Sequence, residues 1–118
     1  MQDIITNLAK GITHAIGASL NSDSSRIKTL ALAEGEAMAE ALVRIGLLVM
    51  REEIDLDEAE VLLRVQRDAS EAVLASLAEV SRVAATRALN NGLKATIADG
   101  GQLAGPSSFA GLLRLLTS

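Results

Sequence analysis

The fold is decided by Asp55-Leu56-Asp57-Glu58 at residues 55–58, which separates two long runs of helix-forming sequence. Asp55 can cap the N-terminus of a helix, and Glu58 follows three residues later, as a capping box requires. The acidic residues after Asp55 also favour a helix start there, because a helix N-terminus carries partial positive charge. The pattern predicts a turn that ends one helix near Glu53 and begins the next at Leu56.

The sequence predicts a long helix on each side of this turn. Residues 25–53 are rich in Ala, Leu, Glu and Met, so we expect about 29 helical residues, roughly 43 Å in length. Residues 56–89 form a run of similar length, and Asn90-Asn91-Gly92 then offers a left-handed C-terminal cap. The alternative is a helix that continues to Ala98, because residues 93–98 are also compatible with a helix.

A short helix is predicted at each end of this hairpin. Apolar residues recur at spacings of three and four over residues 4–20, with Asp3 as the expected N-cap. Residues 99–106 are glycine-rich and contain Pro106, so we expect a hinge before a short amphipathic helix near the C-terminus. The predicted domains are therefore a helical bundle over residues 1–98 and the hinge with its helix over residues 99–118.

Composition supports an all-α fold and excludes several functions. Apolar residues make up 49% of the 118 residues, yet Phe109 is the only aromatic residue and Pro106 the only proline. A sheet core would use more aromatic and β-branched residues. Eleven basic against fifteen acidic residues give a net charge of −4, and no basic cluster or stacking platform is present, so nucleic acid is not an expected partner. Without cysteine, thiolate metal sites and a Cys nucleophile are excluded, and no cofactor is expected.

Neither a signal peptide nor a transmembrane helix is expected. The chain begins Met1-Gln2-Asp3, which lacks the basic region of a signal peptide, and its uncharged stretches are shorter than the roughly 18 residues that suggest a membrane span. We therefore expect an intracellular, cytoplasmic protein.

The two long helices carry more apolar surface than they can cover for each other. Polar residues of the second occupy little more than a third of the helical wheel, whereas packing on one partner helix needs only about 100° of apolar arc. We therefore expect the chain to associate with itself into a larger bundle. The residues expected in the seam between subunits are Leu30, Leu48, Leu62, Ala69, Val73 and Val80.

Two charged residues interrupt the apolar faces. Glu34 lies among apolar neighbours, and burial of an unpaired carboxylate is costly, so we predict a polar contact with Lys10 or Ser76. Arg87 also falls on an apolar side, and the hairpin register places it beside Asp23, its expected partner. The structural interpretation is pairing that sets the register. The functional interpretations are a reactive carboxylate at Glu34 and anion binding at Arg87.

These features predict a non-enzymatic structural or interaction module that works by homo-oligomerisation. One alternative is a membrane-active or virion-type helical protein whose amphipathic ends rearrange on lipid. Another is a small ligand-binding or catalytic bundle that uses Glu34 and Arg87. Another helical protein is a further possible partner, through the C-terminal apolar residues Phe109, Leu112, Leu113 and Leu116.

Overall fold

The computed structural model describes the backbone of residues 2–20 and 24–98 and the side chains of residues 3–20 and 24–95. Within these ranges the chain forms four helices and no strand, which confirms the predicted all-α helical bundle. The helices are α1 (Gln2–Leu20), α2 (Ser25–Met50), α3 (Leu56–Leu77) and α4 (Arg82–Ala98).

The helix predicted near the C-terminus, with Phe109, Leu112, Leu113 and Leu116, lies outside the described residues, as does the glycine-rich hinge.

The helices pack as a ring in the order of the sequence. Helix α1 has its main contacts with α2 and α4, and α3 also has its main contacts with α2 and α4, so α1 and α3 occupy opposite corners. The core is continuous through all four helices. Its fully buried large apolar side chains are Leu8, Ile12, Ile16, Leu42, Val43, Leu74, Leu89 and Leu93.

The turn between α2 and α3 has a defined cap on each side. The Asp55 side chain accepts a hydrogen bond from the Glu58 amide, and the Glu58 side chain accepts one from the Asp55 amide, so the predicted capping box is confirmed. Helix α2 ends at Met50, three residues earlier than predicted. There Glu52 adopts φ 59°, and the amides of Glu52 and Glu53 bond back to the carbonyls of Val49 and Leu48 in a Schellman motif.

The second helix of the predicted hairpin is in fact two helices, α3 and α4. The prediction of one helix over residues 56–89 was wrong, because the chain turns at residues 78–81. Glu79 adopts φ 57°, which ends α3, and the Ser81 hydroxyl accepts a hydrogen bond from the Ala84 amide at 3.1 Å, which caps α4. The turn brings α4 back against α3 and places α4 beside α1.

The C-terminal cap predicted at Asn90-Asn91-Gly92 was also wrong, and the alternative of a helix continuing to Ala98 was right for α4. Gly92 lies inside α4 and is buried. A Cβ atom at this position would lie 2.9 Å from Ile12 Cγ2. Glycine is therefore used here for close approach of α4 to α1, which outweighs its low helix propensity.

Helices α1 and α2 approach each other closely at Gly35, where a Cβ atom would overlap Thr13 Oγ1. Helix α1 begins at Gln2, so Asp3 lies in its first turn rather than at the predicted N-cap. An acidic residue in the first turn still interacts favourably with the helix dipole.

Candidate interaction surface

The buried residues of α3 show how this helix is oriented about its own axis. Ala59, Leu63, Ser70 and Leu74 face the core. Since these positions fall on one side of the helical wheel, the opposite side of α3 faces away from the bundle. The buried Ser70 hydroxyl accepts a hydrogen bond from Gln66 Nε2 at 3.2 Å, which satisfies the one polar side chain on this inward side.

The outward side carries a stripe of uncharged residues, which we call the α3 stripe. It consists of Leu62, Val65, Ala69, Ala72 and Ser76, and all five are exposed. Their spacing alternates between three and four residues, as at the a and d positions of a coiled coil. The stripe therefore has the spacing typical of helix packing, and its residues are exposed within the described part of the chain.

Exposed apolar surface is concentrated on α3. Among the described residues seven large hydrophobic side chains are classed as exposed, and four of these belong to α3. Val61 retains 61% of its surface, Leu62 42%, Val65 62% and Leu77 46%. Isolated exposed hydrophobic residues are normal in soluble proteins, but Val61, Leu62 and Val65 lie within five residues of one helix, and such a group is typical of an interaction surface.

Charged residues lie beside the stripe and leave the stripe itself uncharged. Arg64 pairs with Glu60, and Arg82 Nε of α4 lies 3.1 Å from Glu71 Oε1. The Glu71 to Arg82 pair joins the C-terminal half of α3 to the start of α4. A surface groove next to the stripe is lined by Asp57, Glu60, Val61, Arg64, Val65 and Asp68.

The structure does not form the polar contact predicted for Glu34. Glu34 is half-buried, whereas Lys10 and Ser76 are both exposed, and within the described residues Glu34 makes no hydrogen bond or ion pair. Lys10 instead lines a groove with Glu36 and Glu40. Because Thr13 packs against Gly35 and the two helices are antiparallel, Lys10 lies near the level of Met38, about one helical turn from Glu34.

Arg87 is exposed on α4 and lines a surface groove with Arg82 and Lys94. Its predicted partner Asp23 lies outside the described residues, so this pairing stays a prediction. Glu34 and Arg87 lie on α2 and α4, which share no extensive contact. The structure therefore does not bring these two residues together into one site.

Only some of the residues predicted for the seam belong to the α3 stripe. Leu62 and Ala69 belong to the stripe, and Val73 is half-buried at its edge. Leu30 and Val80 are half-buried and pack against the core, and Leu48 is half-buried on α2. Sequence reasoning missed Val65 and Ala72, although the alternation of three and four residues from Leu62 to Ser76 was available as a signal.

Neither a metal-binding cluster nor a membrane-spanning helix is found within residues 2–20 and 24–98. No group of three or more His, Asp or Glu side chains is arranged to hold a metal ion there. None of the helices described combines the length and hydrophobicity needed to cross a membrane.

Comparison with protein-family models, with curated proteins and with solved structures gives no significant match to this chain.

Proposed function

We propose that this protein is a non-enzymatic structural or interaction module that acts by homo-oligomerisation, and that the α3 stripe is its contact surface. The single observation that carries the proposal is the exposure of five consecutive uncharged seam positions on one helix. The stripe spans residues 62–76, about 21 Å of helix. A seam of this kind is stabilised when another helix removes it from water.

The composition of the stripe suits helix-to-helix contact. Ala69, Ala72 and Ser76 are small and permit a close approach of two backbones, and Leu62 and Val65 supply the larger apolar contacts. The exposed part of a Leu or Val side chain gains about 25 cal/mol per Å² when it is buried. The stripe is narrow, so we expect a weak interface that forms at micromolar concentration rather than an obligate one.

The membrane-active alternative receives less support from the fold. That hypothesis uses both ends of the chain as amphipathic segments, but Leu8, Ile12 and Ile16 of α1 are fully buried in the core. Lipid contact by α1 would require the bundle to open. The α3 stripe needs no such opening, since it is exposed in the folded chain.

The proposal is tested by light scattering and sedimentation at micromolar concentrations, with two matched variants. The wild-type chain of 12.3 kDa is expected to show a mass that rises toward a multiple of this value with concentration. Val65→Glu introduces a carboxylate into the seam and is expected to raise the dissociation constant by about tenfold or more, because the charge would be buried without a partner.

Val83→Glu on α4 is the control, because Val83 is 68% exposed, against 62% for Val65, and lies off the stripe. It makes the same change of residue and charge, and it should leave association unchanged. A wild-type chain that remains a strict monomer would overturn the proposal. Equal loss of association in both variants would show that the contact does not depend on the stripe.

A further inference from the structure

We infer that a second copy of the chain binds the α3 stripe antiparallel, with Leu62 facing Ala72 and Val65 facing Ala69 of the other copy. This inference rests on the proposed function and adds the orientation and register of the two helices. It follows from the order of side-chain sizes along the stripe and from one acidic residue at its N-terminal end.

The seam begins one position before the stripe, at Glu58. The positions 58, 62, 65, 69, 72 and 76 continue the same alternation of four and three residues, over about 27 Å of helix. Glu58 is exposed, like the five residues of the stripe. Six seam positions are therefore available to a second helix.

Side-chain size falls along the stripe. The larger residues, Leu62 and Val65, come first, and the small residues Ala69, Ala72 and Ser76 follow. In a parallel pair large residues would face large ones and small residues small ones, so the helices would be forced apart at one end and leave a gap at the other. In an antiparallel pair each large residue faces a small one, which keeps the separation even and the contact closely packed.

The polar ends of the seam favour the same orientation. A parallel pair would place the two Glu58 carboxylates opposite each other, and like charges at this distance repel. In the antiparallel register Glu58 faces Ser76, whose hydroxyl can donate a hydrogen bond to a carboxylate. Glu58 Oε1 accepts the Asp55 amide at 3.1 Å, which leaves Oε2 available to that hydroxyl.

Asp68 is the charged residue next to the seam, and in this register the two Asp68 residues come within two residues, about 3 Å along the helix axis, of each other's level. Asp68 Oδ1 lies 3.8 Å from Arg67 Nε of its own chain, and 61% of its side-chain surface is accessible. The neighbouring cation and the solvent therefore reduce the repulsion between the two carboxylates.

Cysteine cross-linking tests the orientation directly, because the chain has no cysteine of its own. The variants are Leu62→Cys and Ala72→Cys, both at exposed positions, and one carries a tag that changes its mass. In the antiparallel register residue 62 of one copy meets residue 72 of the other. Residue 62 of one copy lies about 15 Å along the helix axis from residue 62 of the other copy, which is too far for a disulfide. After mild oxidation, non-reducing electrophoresis separates the mixed dimer from the two like dimers.

We expect the mixed dimer to exceed each like dimer by about tenfold or more, because only the mixed pair is held at high effective concentration. Val83→Cys, which is off the stripe, provides the background of random collision. Like dimers of Leu62→Cys and of Ala72→Cys would show a parallel pair and overturn the inference while leaving the proposed function in place. If the chain is oligomeric in light scattering but cross-links only at the background level, the contact lies elsewhere and the inference is overturned. If the chain is a monomer in light scattering, the proposed function itself is overturned.

Discussion

The contact between α1 and α2 predicts that Gly35→Ala destabilises the protein, although alanine is the better helix former. A Cβ atom at residue 35 would overlap Thr13 Oγ1 and would lie 3.1 Å from the Thr13 amide nitrogen and 3.2 Å from its Cα. Two of these three atoms belong to the backbone, so rotation of the Thr13 side chain cannot relieve the whole clash. Helix α1 must therefore move away from α2.

The magnitude follows from two opposing effects. Alanine in place of glycine inside a helix gains about 1 kcal/mol in helix propensity. Overpacking of a close contact costs about 1–3 kcal/mol, and backbone involvement favours the upper end of that range. We expect a net loss of about 1–2 kcal/mol in the free energy of unfolding, or a decrease of ~5–10 °C in the melting temperature of a domain of this size.

Gly17→Ala is the matched control, because Gly17 also lies inside a helix but a Cβ atom there would meet nothing within 4 Å. This variant should gain about 1 kcal/mol from helix propensity alone. The two variants are compared by urea unfolding followed by circular dichroism. Protein concentration is kept constant, since association stabilises the folded chain.

A second substitution tests the cause. In the Gly35→Ala background, Thr13→Ala removes the overlapping hydroxyl and should recover about 1 kcal/mol, measured as the coupling energy of a double-mutant cycle. If Gly35→Ala stabilises the protein as much as Gly17→Ala does, α1 and α2 do not approach each other at this point and the assigned register is wrong.

Two further predictions concern the turn between α2 and α3. Asp55→Ala removes the carboxylate that accepts the Glu58 amide and should lower the free energy of unfolding by about 1 kcal/mol, whereas Asp55→Asn should retain most of this stabilisation; urea unfolding measures both. Glu52→Gly should raise the melting temperature, with a gain of up to about 1 kcal/mol, because Glu52 adopts φ 59° and glycine adopts this conformation without strain. A lower melting temperature would contradict the left-handed conformation at Glu52.

The features predicted correctly from the sequence are those that depend on neighbouring residues. The capping box joins Asp55 to Glu58, three residues apart, and both residue types have strong preferences at these positions. The helical class likewise follows from residue propensities summed over long stretches. No tertiary contact needs to be known for either conclusion.

The break between α3 and α4 was missed because no residue in it is a strong helix breaker. Ala78, Glu79 and Val80 are all compatible with a helix, and Glu79 adopts its left-handed conformation without being glycine. Only Ser81 carries a local signal, as an N-cap. The turn is favoured by contacts of α4 with α1, including the close approach of Gly92 to Ile12, and these residues are far apart in the sequence.

The same error affected the predicted seam. A single helix over residues 56–89 would present one apolar arc along its whole length, and this arc would include residues such as Val80 in the seam. Once α3 ends at Leu77, its inward side is fixed by contacts with α2 and α4, and the outward side follows. Val65 and Ala72 then join Leu62 and Ala69 as equivalent positions.

Helix α3 contributes less to the core than its composition allows. Two of its four buried residues, Ala59 and Ser70, are small, while the larger side chains of Val61, Leu62 and Val65 are exposed. Rotation of α3 to bury these three would expose Leu63 and Leu74, so the folded chain cannot bury both sides by itself. A helix with apolar residues on two sides needs two partners. The bundle of the same chain is the first partner. Under the proposed function, α3 of a second copy is the second partner, and association buries the apolar side chains that remain exposed when one chain folds.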